Sequence, residues 1–332
     1  MQKKYALGVC AAVAAVLVLA GPASAGTLVN TTSATLWGKT YEVSQWLVGN
    51  DLDAIDSAYN LEPEGMTLHD GILYVAGDRD DDETFGNLAA YDVLTTPGDL
   101  GSWTTIGTNP TGGDMWGPEG LTVNTSGAGY GAGMGQLVSV ESKGDDRVGI
   151  IDLASGDILD VNIIDSMDDI AYVPTRDQFG VIVEIEVGSD EELFLTYYDH
   201  TATTVTDSGV NFMLPPETKG LTVVSGDFAE MMLDMPVDED EVLLFAAKAG
   251  SGYDNRLHMY TLDGMLLGSV SPFTAADEIA GEIEAIAVDE VNNLIYIGDE
   301  EAKVIHVVQV PEPGALALLL GGVVAGFARR RR

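Results

Sequence analysis

The stretches PEGMT (residues 63–67) and PEGLT (residues 118–122) carry one pattern twice: an acid, a glycine, then an apolar run. Three further stretches share the layout: DDIAYV from Asp168, KGLTVV from Lys219 and EAIAV from Glu284. From Glu64 through Glu119, Asp168 and Lys219 to Glu284, the intervals are 55, 49, 51 and 65 residues. Short apolar runs with turn residues between them follow each opening, and long helical periodicity is scarce. The body therefore reads as all-β. A repeat of about 40 to 50 residues holding four antiparallel strands is the unit of a β-propeller blade.

Strands fit this plan along the chain. The first unit offers residues 65–69, 72–77, 87–93 and 102–106, and the third offers 169–173, 179–185, 192–198 and 203–206. The fourth offers 220–224, 242–247, 256–262 and 265–270, but the fifth has only 284–288, 294–298 and 304–309. The stretch KTYEVSQWL (39–47) precedes the first unit and lacks a blade of its own. It is expected to complete the last blade and close the ring, which removes open sheet edges. The expectation is a single all-β propeller of five four-stranded blades, with six as the alternative if the N-terminal stretch hides another.

First strands of propeller blades line the central channel. The opening residues Glu64, Glu119, Asp168, Lys219 and Glu284 should then converge. A second column ends the second strand of each unit: Asp78, Glu141, Glu184, Lys248 and Asp299. Crowded carboxylates raise one another's pKa unless a cation neutralises them, and many hard oxygen donors suit Ca²⁺. Three readings stay open. The acids and lysines form structural hydrogen bonds and ion pairs, or Glu64, Glu119, Asp168, Glu284, Asp299 and Glu300 hold calcium, or the site is catalytic. In the last case Lys219 and Lys248, which break both columns, are the residues to test. In DRDDDE (78–83), Asp78, Asp80 and Asp82 alternate as at the start of an EF-hand loop. Glu83 and Ala89 stand where that loop needs glycine and glutamate, so only a looser calcium loop is left.

Residues 1–25 read as a signal peptide: Lys3 and Lys4, an apolar run, then GPASA with cleavage expected after Ala25. The body is expected to span 26–309 and a C-terminal signal 310–332. Removing 1–25 and 314–332 takes away six basic residues and no acids, leaving nine basic against 53 acidic residues, a net charge of −44. Such a body repels nucleic acid and anionic lipid. Its single cysteine, Cys10, lies in the signal peptide, so disulfides and thiolate chemistry are excluded from the body. The four histidines form no H-E-x-x-H motif and no G-x-S-x-G elbow occurs.

The tail VPEPGALALLLGGVVAGFARRRR (310–332) contains Pro311, Glu312 and Pro313, a short apolar segment, and Arg329, Arg330, Arg331 and Arg332. In that order these parts resemble the PEP-CTERM sorting signal of Gram-negative bacteria. The resemblance implies cleavage by signal peptidase and passage through the inner membrane, where the apolar segment is held transiently with its arginines in the cytoplasm. Processing by an exosortase and delivery to the cell surface or extracellular polysaccharide matrix follow. IEAIAVDEVNNLIYIGDEE (283–301) resembles the last blade of β-propeller phytases and esterase-like phytase relatives, which implies calcium held by Glu284, Asp299, Glu300 and Glu301. The repeated Glu-Gly opening is also similar to SdiA-regulated-type propellers. The preferred reading is a calcium-stabilised binding or structural protein, with polysaccharide or another surface molecule as partner. The alternative is a calcium-dependent hydrolase of phosphoric or carboxylic esters.

Overall fold

The computed structural model describes residues 28–36, 39–47, 62–78, 87–93, 103–105, 119–126, 136–141, 147–151, 158–163, 166–187, 190–201, 204–248, 255–270, 282–300 and 304–310. The described chain is all-β apart from one helix. It opens with a hairpin, β1 (Leu28–Leu36) and β2 (Lys39–Leu47). A first sheet follows from β3 (Glu62–His69), β4 (Ile72–Asp78), β5 (Asn87–Asp92) and β6 (Trp103–Thr105). The second holds β7 (Gly120–Asn124), β8 (Gln136–Glu141), β9 (Arg147–Ile151) and β10 (Ile158–Ile163). The third holds β11 (Met167–Val173), β12 (Gln178–Val187), β13 (Asp190–His200) and β14 (Val205–Met213). The fourth holds β15 (Thr218–Ser225), β16 (Glu241–Ala247), β17 (Arg256–Thr261) and β18 (Leu266–Val270), with α1 (Gly226–Leu233) between its first two strands.

The last three strands, β19 (Ile283–Asp289), β20 (Leu294–Asp299) and β21 (Val304–Gln309), join the N-terminal hairpin in a fifth sheet of order β1-β2-β21-β20-β19. Residues 39–47 thus pair with β21 from Glu42↔Gln309 to Leu47↔Val304. The sequence reading did not include β1. It lies outside β2 and adds a fifth strand to this sheet.

Apolar runs explain the strands. In β16 and β20 nearly every residue is buried, because each lies between neighbouring sheets and has no solvent face. Asp70 and Gly71, with φ of 49° and 77°, supply the left-handed pair that a tight hairpin between β3 and β4 needs. The third sheet departs from expectation: its outer strand covers 205–213 rather than 203–206. In β14 only Val205 is buried, so no apolar run marked it.

Five core clusters fill the joints between sheets. Leu121 and Leu137 pack with Tyr74 of the first sheet, and Val140 and Val148 with Ile170 and Val181 of the third. Leu195 and Tyr197 pack with Leu243 and Phe245, and Leu244 with Ile286 and Ile297. Met66 and Val75 of the first sheet pack with Tyr296 and Ile305 of the fifth. First strands adjoin in the same order: β3 with β7, β7 with β11, β11 with β15, β15 with β19, and β19 with β3.

Candidate carboxylate and lysine site

The first strands bring the repeated openings together. In four of the five sheets the register shifts at the opening. Pro63 faces Gly77 and Gly65 faces Ala76, so the register skips Glu64. Lys219 and Glu284 are skipped in the same way, and Asp168 and Asp169 together oppose one residue of β12. Such a bulge adds one residue and re-aims its side chain. The polar residue at each opening is thus set apart from the strand that follows it.

The glycine beside it serves the joint with the next sheet. A Cβ on Gly65 would lie 1.8 Å from the Glu119 carbonyl oxygen, and one on Gly220 would lie 2.4 Å from that of Glu284. In the third sheet Asp169 occupies the glycine position and works differently. One of its oxygens accepts from the Ile170 N–H at 2.7 Å and the other from Leu221 of the fourth sheet at 2.5 Å. Leu121 of the second sheet donates to it as well. Asp169 is wholly buried and ties three first strands together. Burial pushes its carboxyl well above the usual range, while the three N–H donors pull it back.

Of the six candidate metal ligands, Glu64, Glu284 and Glu300 come together: one oxygen of each lies within 4.8 Å of the others. Oxygens that share one metal ion at about 2.4 Å can be at most about 4.8 Å apart, a limit that these three meet. Asp168 instead meets Lys219, with Nζ 2.5 Å from Oδ1. Its second oxygen, Oδ2, is buried and has no hydrogen-bond partner among the described residues. Glu119 is buried and donates its N–H to Val140. Asp299 is set apart in the interior, where Oδ2 lies 3.1 Å from Nε2 of the equally buried His306. The side chains of Asp78 and Glu141, together with Asp80, Asp82, Glu301 and the whole tail from Pro311, lie outside the described residues.

The lysines of the fourth sheet sit among acids from both neighbours. Lys248 Nζ lies 2.7 Å from Glu284 and 3.2 Å from Glu282. Burial pulls the Lys248 ammonium down, but Glu284 and Glu282 outweigh it and raise its pKa. Lys219 shifts the same way, burial opposed and exceeded by Asp168. Asp168 is pushed up by burial and drawn back by Lys219. At 2.5 Å the ammonium and the carboxylate of this pair each favour the other's charged form. Beside it, Glu184, Glu192, Glu217 and Lys219 line a cavity of 390 Å³. The sequence reading missed Asp169. Its signal was present, an acid where the other openings have glycine or alanine.

Among solved structures, glutaminyl cyclase of Myxococcus xanthus is similar at 10% identity and a TM-score of 0.47, covering 88% of this chain and 100% of that one. A gluconolactonase of Xanthomonas campestris is similar at 12% identity and a TM-score of 0.45, covering 88% and 99%. An auxiliary nutrient binding protein of Bacteroides thetaiotaomicron is similar at 12% identity and a TM-score of 0.42. That match covers 73% of this chain, which spans 57% of the nutrient-binding protein's length. Comparison with curated proteins gives no match. No helix among the described residues is long and apolar enough to cross a membrane. Residues 309–332 match the PEP-CTERM protein-sorting motif, the mark of an exported protein that is sorted through exosortase.

Proposed function

We propose that the chain is a five-bladed propeller of the cell surface or extracellular matrix that binds or scaffolds and does not catalyse. Its charged channel end is a stabilising network in which Glu64, Glu284 and Glu300 hold Ca²⁺. The ring reading is supported by the five joints, each with its own core cluster, and by Pro63 of the first sheet, whose carbonyl oxygen would lie 2.8 Å from a Cβ on Gly298 of the fifth. Residues 1–25 are the export signal of this reading, 26–309 the propeller and 310–332 the sorting segment, held briefly in the inner membrane and cut near Pro311–Pro313.

One observation carries the choice against a hydrolase. Lys219 and Lys248 are already paired with Asp168, Glu282 and Glu284. A phosphate ester needs cations turned toward it, and these two face carboxylates of their own channel. The test is the melting temperature of the processed protein with calcium and with EDTA. Ligand at about 100 times its Kd adds about 2.7 kcal/mol of stability. A melting temperature indifferent to both would refute the calcium site. Phosphate release from phytate in the presence of calcium would refute the non-catalytic reading.

A further inference from the structure

A cavity of 350 Å³ lies against all five first strands, on residues that follow their openings. That size is within the usual range of about 300 to 1,000 Å³ for small-molecule sites. Thr67, Thr122 and Thr222 line it, each three residues past its opening at Glu64, Glu119 or Lys219. Leu68, Val223 and Val288, each partly exposed, supply apolar wall between them. Three carboxylates also line it, Asp240, Glu241 and Glu290, and the last two are anchored. Glu241 accepts from the Thr175 N–H at 3.1 Å and from its Oγ1 at 2.6 Å, across the joint between the third and fourth sheets. Glu290 accepts from the Ser225 N–H and Oγ, each at 2.6 Å, across the next joint.

We propose that this cavity binds a neutral saccharide unit, an inference that rests on the binding-protein reading above. Threonine hydroxyls both donate and accept, as the hydroxyls of a sugar do. Anchored carboxylates accept from sugar hydroxyls and lose little freedom in doing so. Leu68, Val223 and Val288 offer an apolar face to the C–H side of a pyranose ring. Among the described residues no lysine or arginine lines the cavity, so phosphate, sulfate or a uronic acid would meet Asp240, Glu241 and Glu290 with His69 as the one titratable group there that can carry positive charge. Thr122 has a second duty, since its Oγ1 accepts the Tyr172 N–H at 2.8 Å and so links β7 to β11.

The experiment is saturation-transfer NMR on the processed protein with glucose, galactose and mannose, each at about 10 mM, a level that reveals even weak specific binding. Glucuronate and ethanolamine are run beside them. At least one neutral sugar should bind, and glucuronate should bind at least about tenfold more weakly than glucose if glucose is that sugar. The Thr67→Val/Thr222→Val variant removes two hydroxyls at constant shape, and affinity should fall about tenfold or more. If that variant does not fold, Glu241→Gln replaces it with the same expected direction. The proposal is overturned if none of the three sugars binds, if the folded variant binds as the parent does, or if ethanolamine or glucuronate binds as well as the best sugar. Melting with and without calcium on the same sample separates the two ideas: a calcium shift without sugar binding removes this site alone, and loss of both removes the reading beneath it.

Discussion

Replacing Asp169 with alanine tests how the first strands are held together. Its carboxylate accepts N–H groups from Ile170, Leu221 and Leu121, two of them on other sheets. Truncation leaves these donors buried, at about 1 to 3 kcal/mol for each unsatisfied group. Part of that cost is returned, because burial disfavours the carboxylate charge and raises its pKa. The net loss at neutral pH should be about 2 to 4 kcal/mol. Asparagine keeps the shape and one acceptor, but its amide would face an N–H, so the loss should be about half as large. The pH dependence has a definite sign. The folded-state pKa of Asp169 lies above its unfolded value, so its contribution is full below the unfolded pKa and shrinks as pH rises through the folded pKa. Urea melts followed by circular dichroism at acid and neutral pH give the midpoint and slope for parent and variants. A midpoint change worth under about 0.5 kcal/mol for Asp169→Ala at both pH values would refute the clamp.

Gly65→Ala should cost about 2 kcal/mol or more, since its Cβ would collide with the Glu119 carbonyl oxygen. Gly180→Ala, whose nearest contact would be a leucine methyl at 3.4 Å, is the control that should melt close to the parent. Lys248→Met strands the buried Glu284 carboxylate and should lower stability by about 2 kcal/mol. Added calcium should restore more stability to this variant than it gives the parent, as read from melting temperature. His258 is buried, and burial first and Arg256 second lower its pKa to about 4. Its contribution is present above the unfolded pKa and lost as pH falls from about 6.5 toward 4, by up to roughly 3 kcal/mol. A stability–pH profile for His258→Phe should be flatter across that range, and an unchanged slope would show that another group titrates.

The openings were legible because packing repeats them, and the outer strands were not. PEGMT announces a bulge and a re-aimed acid, and both PEGMT and PEGLT set a glycine against the next strand; each of those roles restricts residue type. β14 carries no such demand: past Val205 its residues are exposed except for the half-buried Ser208 and Phe212, and nothing separates VTDSGVNFM from a loop. The helix α1 had local signals, with Ser225 accepting from the Phe228 N–H at its start and Phe228 and Met232 on one buried face. At eight residues it was too short for periodicity to stand out from the loop around it. For the site, residue types could place Glu64 and Glu284 on a common axis, but not Asp299. Its alternation within β20 turns it toward His306, a partner seven residues away on the next strand.

The fourth opening gains its meaning from its neighbours. Lys219 reaches back to Asp168 of the third sheet, and Lys248 reaches forward to Glu282 and Glu284 of the fifth. One sheet thus supplies positive charge to the acids on both sides of it. Residues 26–313 hold 53 acidic and nine basic residues, and placing two of the nine here answers repulsion among the carboxylates that the first strands bring together. The break in the repeat is then a condition for the rest of the repeat. An acid at 219 would leave Asp168 facing a like charge. A variant carrying Lys219→Glu and Asp168→Lys together should recover stability that either change alone loses, because the pair reverses sign while its geometry is kept. Double-mutant melts measure that coupling. Simple additivity of the two losses would mean that the lysine is there for some reason other than the acid it touches.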